Sequence, residues 1–402
     1  MSARYIGLTW DHPRGRDALV EASRRVNDGG EELLRWRTQP LEGFESSPIG
    51  ALARDNDLLV LDHPHLGEAL AEDCLVPLET LYPAEQLGAW GRACIGPALA
   101  SYRFDGHTWA LPLDVAAQVM ARRTDLAPEA PGDWDGVLRL ATRRPVALSL
   151  GGPHAWLTLI SMAASENAAG ANGMGLAVPR GPELFPDETL ARALETLHRL
   201  YARCPPGSES LNPIALLERM ARGDEIALVP LVFGYVTYAA AGYDRAPIAF
   251  GDAIGHRGVL GGTGIGFSRR ATFSRALLEH VASLLSDECQ CGLIPHHGGQ
   301  PSFRSAWRDA AVNRAAHDFY RDTAATAENA ILRPRFDGYI AFQGAASERV
   351  RSALLRRESP EATIAALRAL WRDARKRARG PLDDARRTVV TDEFHSDGNE
   401  RA

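Results

Sequence analysis

The stretch Asp57-Leu58-Leu59-Val60-Leu61-Asp62 places four aliphatic residues between two acids. A short apolar run without alternation is typical of a strand that is buried on both faces, as in a parallel sheet. The elements predicted before it are a strand at 5–9, a helix at 16–26, a strand at 31–39 and a short helix at 48–53. The order β-α-β-α-β predicts a parallel sheet with right-handed crossovers.

A second set of α/β elements follows this first unit. Asp105-Gly106 predicts a hairpin turn that leads into another strand. The elements predicted beyond Asp114 are strands at 119–123, 146–150, 226–232 and 261–267, and helices at 134–143, 189–201, 214–222, 274–286, 304–322 and 360–375. A chain of 402 residues is long enough for two or three domains, so we expect more than one α/β unit.

Composition and charge exclude several classes of protein. Apolar residues make up 45% of the chain and charged residues 24%, which is the balance of a globular protein and not of a disordered one. The formal charge is −6, with 45 Lys and Arg against 51 Asp and Glu, so nucleic acid is not expected as a partner. The apolar run at 226–236 is too short to cross a bilayer and contains Pro230 and Gly234, so no membrane span is expected.

The amino terminus and the cysteines indicate in which cellular compartment the protein is expected. Residues 1–10 lack the apolar segment and the small-residue cleavage site of a signal peptide. We expect a cytoplasmic protein if Met1 is the natural start, and a periplasmic or extracellular one if a signal peptide was removed. The odd number and scattered spacing of the cysteines predict reduced thiols and no disulfide framework at Cys74, Cys94, Cys204, Cys289 and Cys291.

Four segments of the chain share their order and spacing with one known family. They are residues 58–64, the stretch Asp105-Gly106-His107-Thr108-Trp109-Ala110-Leu111-Pro112-Leu113-Asp114, the glycine-rich residues 261–268, and His297-Gly298-Gly299-Gln300-Pro301 with Arg304-Ser305. In these segments the chain resembles the extracellular solute-binding proteins of family 1, which serve ABC importers of sugars. The resemblance extends over residues 5–375.

The resemblance implies a fold and a function. The fold is α/β and periplasmic-binding-protein-like, with two α/β lobes of mixed sheets joined by crossover hinge segments near 113–116, 255–262 and 306–309. It implies lobe 1 at 1–113 plus 260–307, lobe 2 at 114–259 plus 308–378, and a flexible tail at 379–402. The function implied is hinge closure on a small polar, sugar-like ligand between the lobes, with ABC permease subunits as partners and no enzymatic activity.

Candidate ligand-binding residues follow from a rule for open α/β sheets, in which ligands lie beyond the carboxyl ends of the strands. Carboxylates accept hydrogen bonds from vicinal hydroxyls, and aromatic rings offer flat apolar surfaces to a sugar. The candidates are Trp10, Asp11, His12, Asp62, His63, His65, Asp114, Gln118, Gly152, His154, Trp156, Tyr235, Gly262 and Thr263.

Several of these candidates have a purely structural alternative. Trp10 and Trp156 would equally fill the cores of the lobes. Asp114 would equally cap the segment that follows it, and the paired glycines at 151–152 and 261–262 would equally serve tight turns.

The histidines leave a second function open. Asp11-His12-Pro13 and Asp62-His63-Pro64-His65 repeat one pattern on two strands of the predicted sheet, and Pro64 favours an extended segment with both histidines on one face. Asp and His together can bind a divalent metal or act as a general base. Because no compact metal-ligand spacing occurs, we expect no metal and no cofactor. The alternatives are a cytoplasmic enzyme on the same fold, using Asp and His residues or a bound metal, and a cytoplasmic sensor of a metabolite.

Overall fold

A computed structural model describes residues 3–27, 32–168, 184–223, 225–239 and 246–382. The strands in these ranges are β1 Tyr5–Trp10, β2 Leu34–Gln39, β3 Leu58–Leu61, β4 Arg103–Phe104, β5 His107–Thr108, β6 Ala110–Arg123, β7 Leu228–Phe233, β8 Ile248–Gly251 and β9 Leu260–Phe267.

Helices surround the strands along the whole chain. The first ten are α1 Pro13–Asn27, α2 Leu41–Ser46, α3 Ile49–Asp55, α4 Leu66–Ala71, α5 Ala84–Ala93, α6 Ala98–Ser101, α7 Trp134–Ala141, α8 His154–Ala168, α9 Asp187–Tyr201 and α10 Pro213–Ala221. The others are α11 Val236–Ala239, α12 Arg275–Ser283, α13 Ile294–His296, α14 Arg304–Arg308, α15 Ala310–Ala315, α16 Phe319–Asp322, α17 Ala324–Glu328, α18 Tyr339–Arg356 and α19 Pro360–Arg377. Short 3-10 turns lie at His63–His65, Leu78–Thr80, Ser208–Ser210 and Ile254–His256, and a π-helical turn at Cys289–Leu293.

The sheet of lobe 1 has the strand order β2-β1-β3-β9-β6. The strand β1 is parallel to both β2 and β3, whereas β9 is antiparallel to β3 and to β6. The four residues of β3 are all buried, as the apolar run predicts for a central strand. The parallel β-α-β-α-β unit predicted from the sequence is therefore confirmed, and the sheet as a whole is mixed.

The two lobes share the strand β6. Its first half pairs with β9 in lobe 1, and its second half pairs antiparallel with β7 and β8 in lobe 2. This 14-residue strand carries the chain from one lobe to the other, and residues 113–116 lie inside it. The two-lobe, periplasmic-binding-protein-like fold is confirmed. The exact lobe boundaries stay predictions.

The core of lobe 2 is built mainly by helices. Helices α8 and α9 pack against α18 and α19, and their buried aromatic and aliphatic side chains form one cluster. Ser359 begins α19 because its hydroxyl accepts from the Ala362 backbone N–H at 3.3 Å and Pro360 occupies the first turn. This helical layer supports the lobe 2 face of the interlobe boundary.

The hairpin predicted at Asp105-Gly106 is confirmed. It joins β4 to β5, and both turn residues have positive φ, at 48° and 84°. Two consecutive left-handed residues are the requirement of the tightest hairpin turns, which is why Asp-Gly occurs there.

Two predicted elements are wrong. Residues 146–150 were expected as a strand, but only Val146 bridges to Leu228 and no further ladder forms. Residues 304–322 were expected as one helix, but three short helices, α14 to α16, occupy them. Asp309 interrupts the helix because its carboxylate accepts from the backbone N–H groups of Ala311 and Val312 and so starts a new one.

The segment after β3 also differs from expectation. Pro64 was expected to keep it extended, but His63–His65 forms a 3-10 turn. Asp62 begins this turn, since its carboxylate accepts from the His63 backbone N–H at 2.9 Å and a proline suits the first turn of a helix. The two histidines therefore do not share the face of an extended strand.

None of the helices in the described ranges has both the length and the hydropathy needed to span a bilayer.

Candidate functional site

Four strands of lobe 1 bring their polar residues to one edge of the sheet. Trp10 ends β1 and Asp62 follows β3. In the antiparallel register Leu61 lies opposite Gly264, which places Asp62 beside Thr263. Thr263 in turn lies opposite Asp114 of β6. The sequence rule about strand ends thus selects residues that the fold brings together.

Asp114 forms a buried ion pair with Arg14. The guanidinium donates from Nε to Oδ2 at 2.8 Å and from Nη2 to Oδ1 at 2.5 Å, and both side chains are almost fully buried. The Gln300 backbone N–H also donates to Oδ2, at 3.2 Å. Both carboxylate oxygens of Asp114 are therefore engaged by protein donors.

Arg14 connects the two lobes. Its Nη1 donates to the Gly234 carbonyl at 3.2 Å, and its guanidinium carbon lies 4.8 Å from the centre of the Tyr235 ring. Gly234 and Tyr235 follow β7 of lobe 2, whereas Arg14 is in α1 of lobe 1. A buried cation over an aromatic face is a favourable contact, so this pair stabilises the lobes in apposition.

Aromatic rings pack around Arg14 at the same boundary. The Trp10 ring stacks on His12 at 5.0 Å, and Tyr235 meets His12 edge-on at 5.2 Å. The Arg14 backbone N–H donates to His12 Nδ1 at 3.2 Å, so the neutral ring carries its proton on Nε2. Burial, followed by the charges of Arg14 and Arg16, lowers the pKa of His12 to about 4. Trp10, His12 and Tyr235 thus form one aromatic group between the lobes.

Asp62 is the centre of a second buried network. Its Oδ1 accepts from the His63 backbone and lies 3.2 Å from His63 Nδ1, and its Oδ2 pairs with Arg333. The Arg333 backbone N–H donates to His63 Nε2 at 3.1 Å, so neutral His63 carries its proton on Nδ1, toward Asp62. Burial raises the pKa of Asp62, but Arg333 and His63 outweigh it and hold that pKa well below its usual range.

Arg333 lies between the lobes and is 4% exposed. Its Nη2 also donates to the Leu260 carbonyl at 3.2 Å, and its Nη1 to Gln343 Oε1 of α18 at 3.4 Å. Its Nε has no hydrogen-bond partner among the residues that the structure describes. In the same part of the chain, buried Thr263 Oγ1 and His65 Nδ1 have none either. Each of these buried atoms therefore leaves a hydrogen bond unmade within the described chain.

Lobe 2 contributes the loop before α8 and the end of β7. His154 begins α8, and its ring meets Phe233 at 5.8 Å. Burial, followed by Arg333 and Arg351, lowers the pKa of His154 to about 3, so its ring is neutral near pH 7. Gly152 is exposed, has a φ of 57°, and gives its carbonyl to Arg351 Nη1 at 2.5 Å.

Two candidates lie away from this arrangement. Trp156 is inside the core of lobe 2, where its Nε1 donates to Tyr339 Oη at 3.3 Å and its ring packs on Phe342. Asp11 is exposed and pairs with Arg16.

A further candidate, Gln118 of β6, is fully buried beside Val259. Its Oε1 accepts from Ser161 of α8 at 2.6 Å, and its Nε2 has no hydrogen-bond partner in the described chain.

Sequence reasoning missed the two arginines. Arg14 lies four residues after Trp10, at the end of the first predicted strand. Its position in the sequence could therefore have identified it as a candidate. Arg333 lies in the segment 331–336, which has no regular structure and no periodicity, and it is 271 residues from Asp62 in sequence. Only the tertiary fold brings it to the strand ends.

The alternative of a metal-dependent enzyme finds no support. Among the described residues, no three His, Cys, Asp or Glu side chains gather in a way that could hold a metal ion. Burial raises the pKa of each cysteine thiol, including Cys289 and Cys291, so none is activated as a nucleophile.

No family model and no curated protein matches the chain, but solved structures do. The maltose-bound MalE3 protein of T. maritima has a TM-score of 0.74 at 14% identity, over 92% of this chain and 100% of its own. A ribitol-bound ABC transporter solute-binding protein of Agrobacterium radiobacter K84 has a TM-score of 0.74 at 17% identity, and the match covers 92% of this chain and 98% of its own. A solute-binding protein of Thermotoga lettingae TMO, bound to alpha-D-tagatose, has a TM-score of 0.74 at 15% identity, and the match covers 93% of this chain and 100% of its own. The chain has the fold of ABC transporter solute-binding proteins.

Proposed function

We propose that this protein binds a small polyhydroxylated ligand between its two lobes and closes on it by hinge motion. One observation carries the proposal: buried polar networks centred on Arg14 and Arg333 lie at the interlobe boundary, and they leave polar atoms of Arg333, Thr263 and His65 without partners in the described chain. Buried polar groups are normally satisfied, so such atoms point to a ligand.

The solved neighbours support the same proposal. Their bound ligands are maltose, ribitol and alpha-D-tagatose, which are all rich in hydroxyl groups. The aromatic group of Trp10, His12 and Tyr235 provides apolar surface of the kind that packs on a sugar ring. We therefore propose a role as the binding component of an ABC importer, with permease subunits as partners.

Individual residues take different roles under this proposal. Thr263, His65, His154, Tyr235 and His12 contact the ligand. Asp62, His63 and Asp114 position the two arginines, because their side-chain atoms are engaged by the protein itself. Gly262 keeps the backbone of β9 close to β6, where an added Cβ would lie 2.2 Å from the Asp114 carbonyl oxygen.

The test is a titration with neutral and acidic sugars and polyols, followed by thermal unfolding, calorimetry and small-angle X-ray scattering. A ligand should raise the unfolding temperature and reduce the radius of gyration, since closure brings the lobes together. Binding without any compaction would contradict hinge closure. No binding by any member of the panel would contradict the function itself.

A matched pair of variants tests the place of the site. Thr263→Val removes a buried hydroxyl that has no partner in the described chain, so it should weaken ligand binding by about 1 kcal/mol and leave stability unchanged. Thr108→Val is the control, because Thr108 is equally buried but lies on β5, which pairs with β4 in a separate two-stranded sheet. Equal affinities for the two variants would reject Thr263 as a ligand contact.

A further inference from the structure

The carboxylates at the lobe 1 edge have little capacity left for a ligand. Asp62 accepts from Arg333 and from the backbone and ring of His63. Asp114 accepts two hydrogen bonds from Arg14 and one from the Gln300 backbone. A neutral sugar needs acceptors for its hydroxyl protons. The two buried carboxylates beside Thr263 are already engaged by the protein, and the exposed Asp11 at the same edge is paired with Arg16 through Oδ1. Their engagement favours a ligand that brings acceptors of its own.

The unpartnered atom of Arg333 is a charged donor. Its Nη1 and Nη2 are used by Gln343, Asp62 and the Leu260 carbonyl, whereas Nε has no acceptor in the described chain. Leaving one N–H of a buried guanidinium without an acceptor is costly. An ionised oxygen is the strongest acceptor for such a donor.

The lobe 2 face brings a second cation close to Arg333. After burial, Arg333 and Arg351 both lower the pKa of His154, and Arg351 is itself paired with Glu348. Arg351 also holds the loop before α8 through the carbonyls of Leu150 and Gly152. The 15-residue helix α8 begins directly after this loop, and its amino-terminal end carries the positive end of the helix dipole.

We propose that the ligand carries an anionic group, a carboxylate or a phosphate on a polyhydroxylated skeleton, and that Arg333 Nε binds it. The inference rests on the proposed function and narrows it to acidic sugars. Asp62 then acts as the counter-ion that holds the guanidinium in place, and Thr263 and the neutral histidines bind the hydroxyl groups.

The experiment compares matched anionic and neutral compounds by isothermal titration calorimetry on the full chain. The pairs are D-glucuronate with D-glucose, D-gluconate with D-sorbitol, and D-glucose 6-phosphate with D-glucose. The anionic member should bind about tenfold more tightly or better, since a charge-assisted hydrogen bond replaces an unmade one. The first two pairs test a carboxylate and the third tests a phosphate.

A variant of Arg333 tests whether this residue causes the preference for an anionic ligand. Arg333→Gln should reduce the preference for the anion to about parity, because it removes the charged donor. Arg335→Gln is the control, since Arg335 is equally buried in the same segment but donates to the carbonyls of Ala100, Ser101 and Arg103. The control should retain the preference. If Arg333→Gln does not fold, the comparison of ligands on the unaltered protein still decides whether the ligand carries an anionic group.

The outcomes separate this inference from the proposed function. Tighter binding of an anionic member that Arg333→Gln abolishes supports both. Neutral members that bind as tightly as their anionic partners overturn the inference and leave the proposed function in place. An anion preference that Arg333→Gln retains overturns the role of Arg333. No binding by any of the five compounds contradicts both.

Discussion

At the residue scale, the two buried ion pairs explain how charged side chains reach the interior of the interlobe boundary. A buried charge is stable only if it is paired and hydrogen-bonded, and both arginines meet that condition through one carboxylate and at least one backbone carbonyl. Each carboxylate therefore determines where its arginine points.

This pairing predicts a large loss of stability for Asp114→Asn. The variant leaves the Arg14 charge buried without its counter-ion, so the free energy of unfolding should fall by about 3–5 kcal/mol in urea titrations. Asp187→Asn is the control, because Asp187 is exposed where it pairs with Arg368, and exposed pairs contribute about 1 kcal/mol or less. Similar losses for both variants would show that the Arg14 pair is not the buried contact described.

At the element scale, β6 and β9 determine where the lobes meet. The ladder between them shifts register next to Asp114, where Gly262 has a φ of 104° and lies against the Asp114 carbonyl. A residue with a side chain would clash there and would also strain the backbone. The close approach of these two strands brings Thr263 and Asp114 side by side.

A pair of glycine substitutions tests this approach. Gly262→Ala should lower the free energy of unfolding by roughly 2 kcal/mol or more, because the added Cβ would lie 2.2 Å from a backbone oxygen. Gly251→Ala is the matched control: it lies on β8, also paired with β6, and an added Cβ meets nothing within 4 Å. Unfolding midpoints that move equally for both would contradict the tight contact at Gly262.

At the scale of the whole molecule, contacts between the lobes depend on groups that must stay neutral or paired. Gln300 joins the lobes by hydrogen bonds alone: its Nε2 donates to the Val115 carbonyl of β6 at 2.9 Å, and its Oε1 accepts from the Val236 backbone of lobe 2 at 3.0 Å. His63 and His154 lie at the same boundary with neutral rings. The stability of the folded protein is therefore sensitive to acid.

The histidines predict the direction of this pH dependence. Burial lowers the pKa of His63 to about 4 and that of His154 to about 3, against 6.5 for an accessible histidine. Between these values the unfolded chain binds more protons than the folded one, so stability falls as the pH drops from 6.5 toward 4. Shifts of this size are worth roughly 3–5 kcal/mol per histidine once the pH is below the pKa in the folded protein.

Urea titrations at pH 7.0, 5.5 and 4.5 measure the effect. The free energy of unfolding should decrease at each step, and His154→Phe should reduce the slope because it removes one of the titrating groups. Equal stability at pH 7.0 and 5.5 would contradict the burial of neutral histidines.

Much of the fold could be predicted from the sequence, because it follows from local patterns. The apolar run at Leu58–Leu61 predicts a central strand, Asp105-Gly106 predicts a hairpin, and both are present. The rule about strand ends also identified Asp62, Asp114 and Thr263, which pair or lie opposite one another in the sheet. These inferences need only hydrophobic periodicity, turn chemistry and the geometry of a sheet.

Local sequence patterns thus predict the α/β class, the parallel start of the sheet and the polar residues that gather at one edge of it. The tertiary structure alone decided the roles at that edge. Arg14 pairs with Asp114 across 100 residues of sequence, and Arg333 pairs with Asp62 across 271. The sequence predicts the two carboxylates as ligand contacts, whereas in the structure they hold the arginines in place. Such ion pairs join residues that are far apart in sequence, and their burial depends on the folded structure. Local sequence patterns therefore do not predict them.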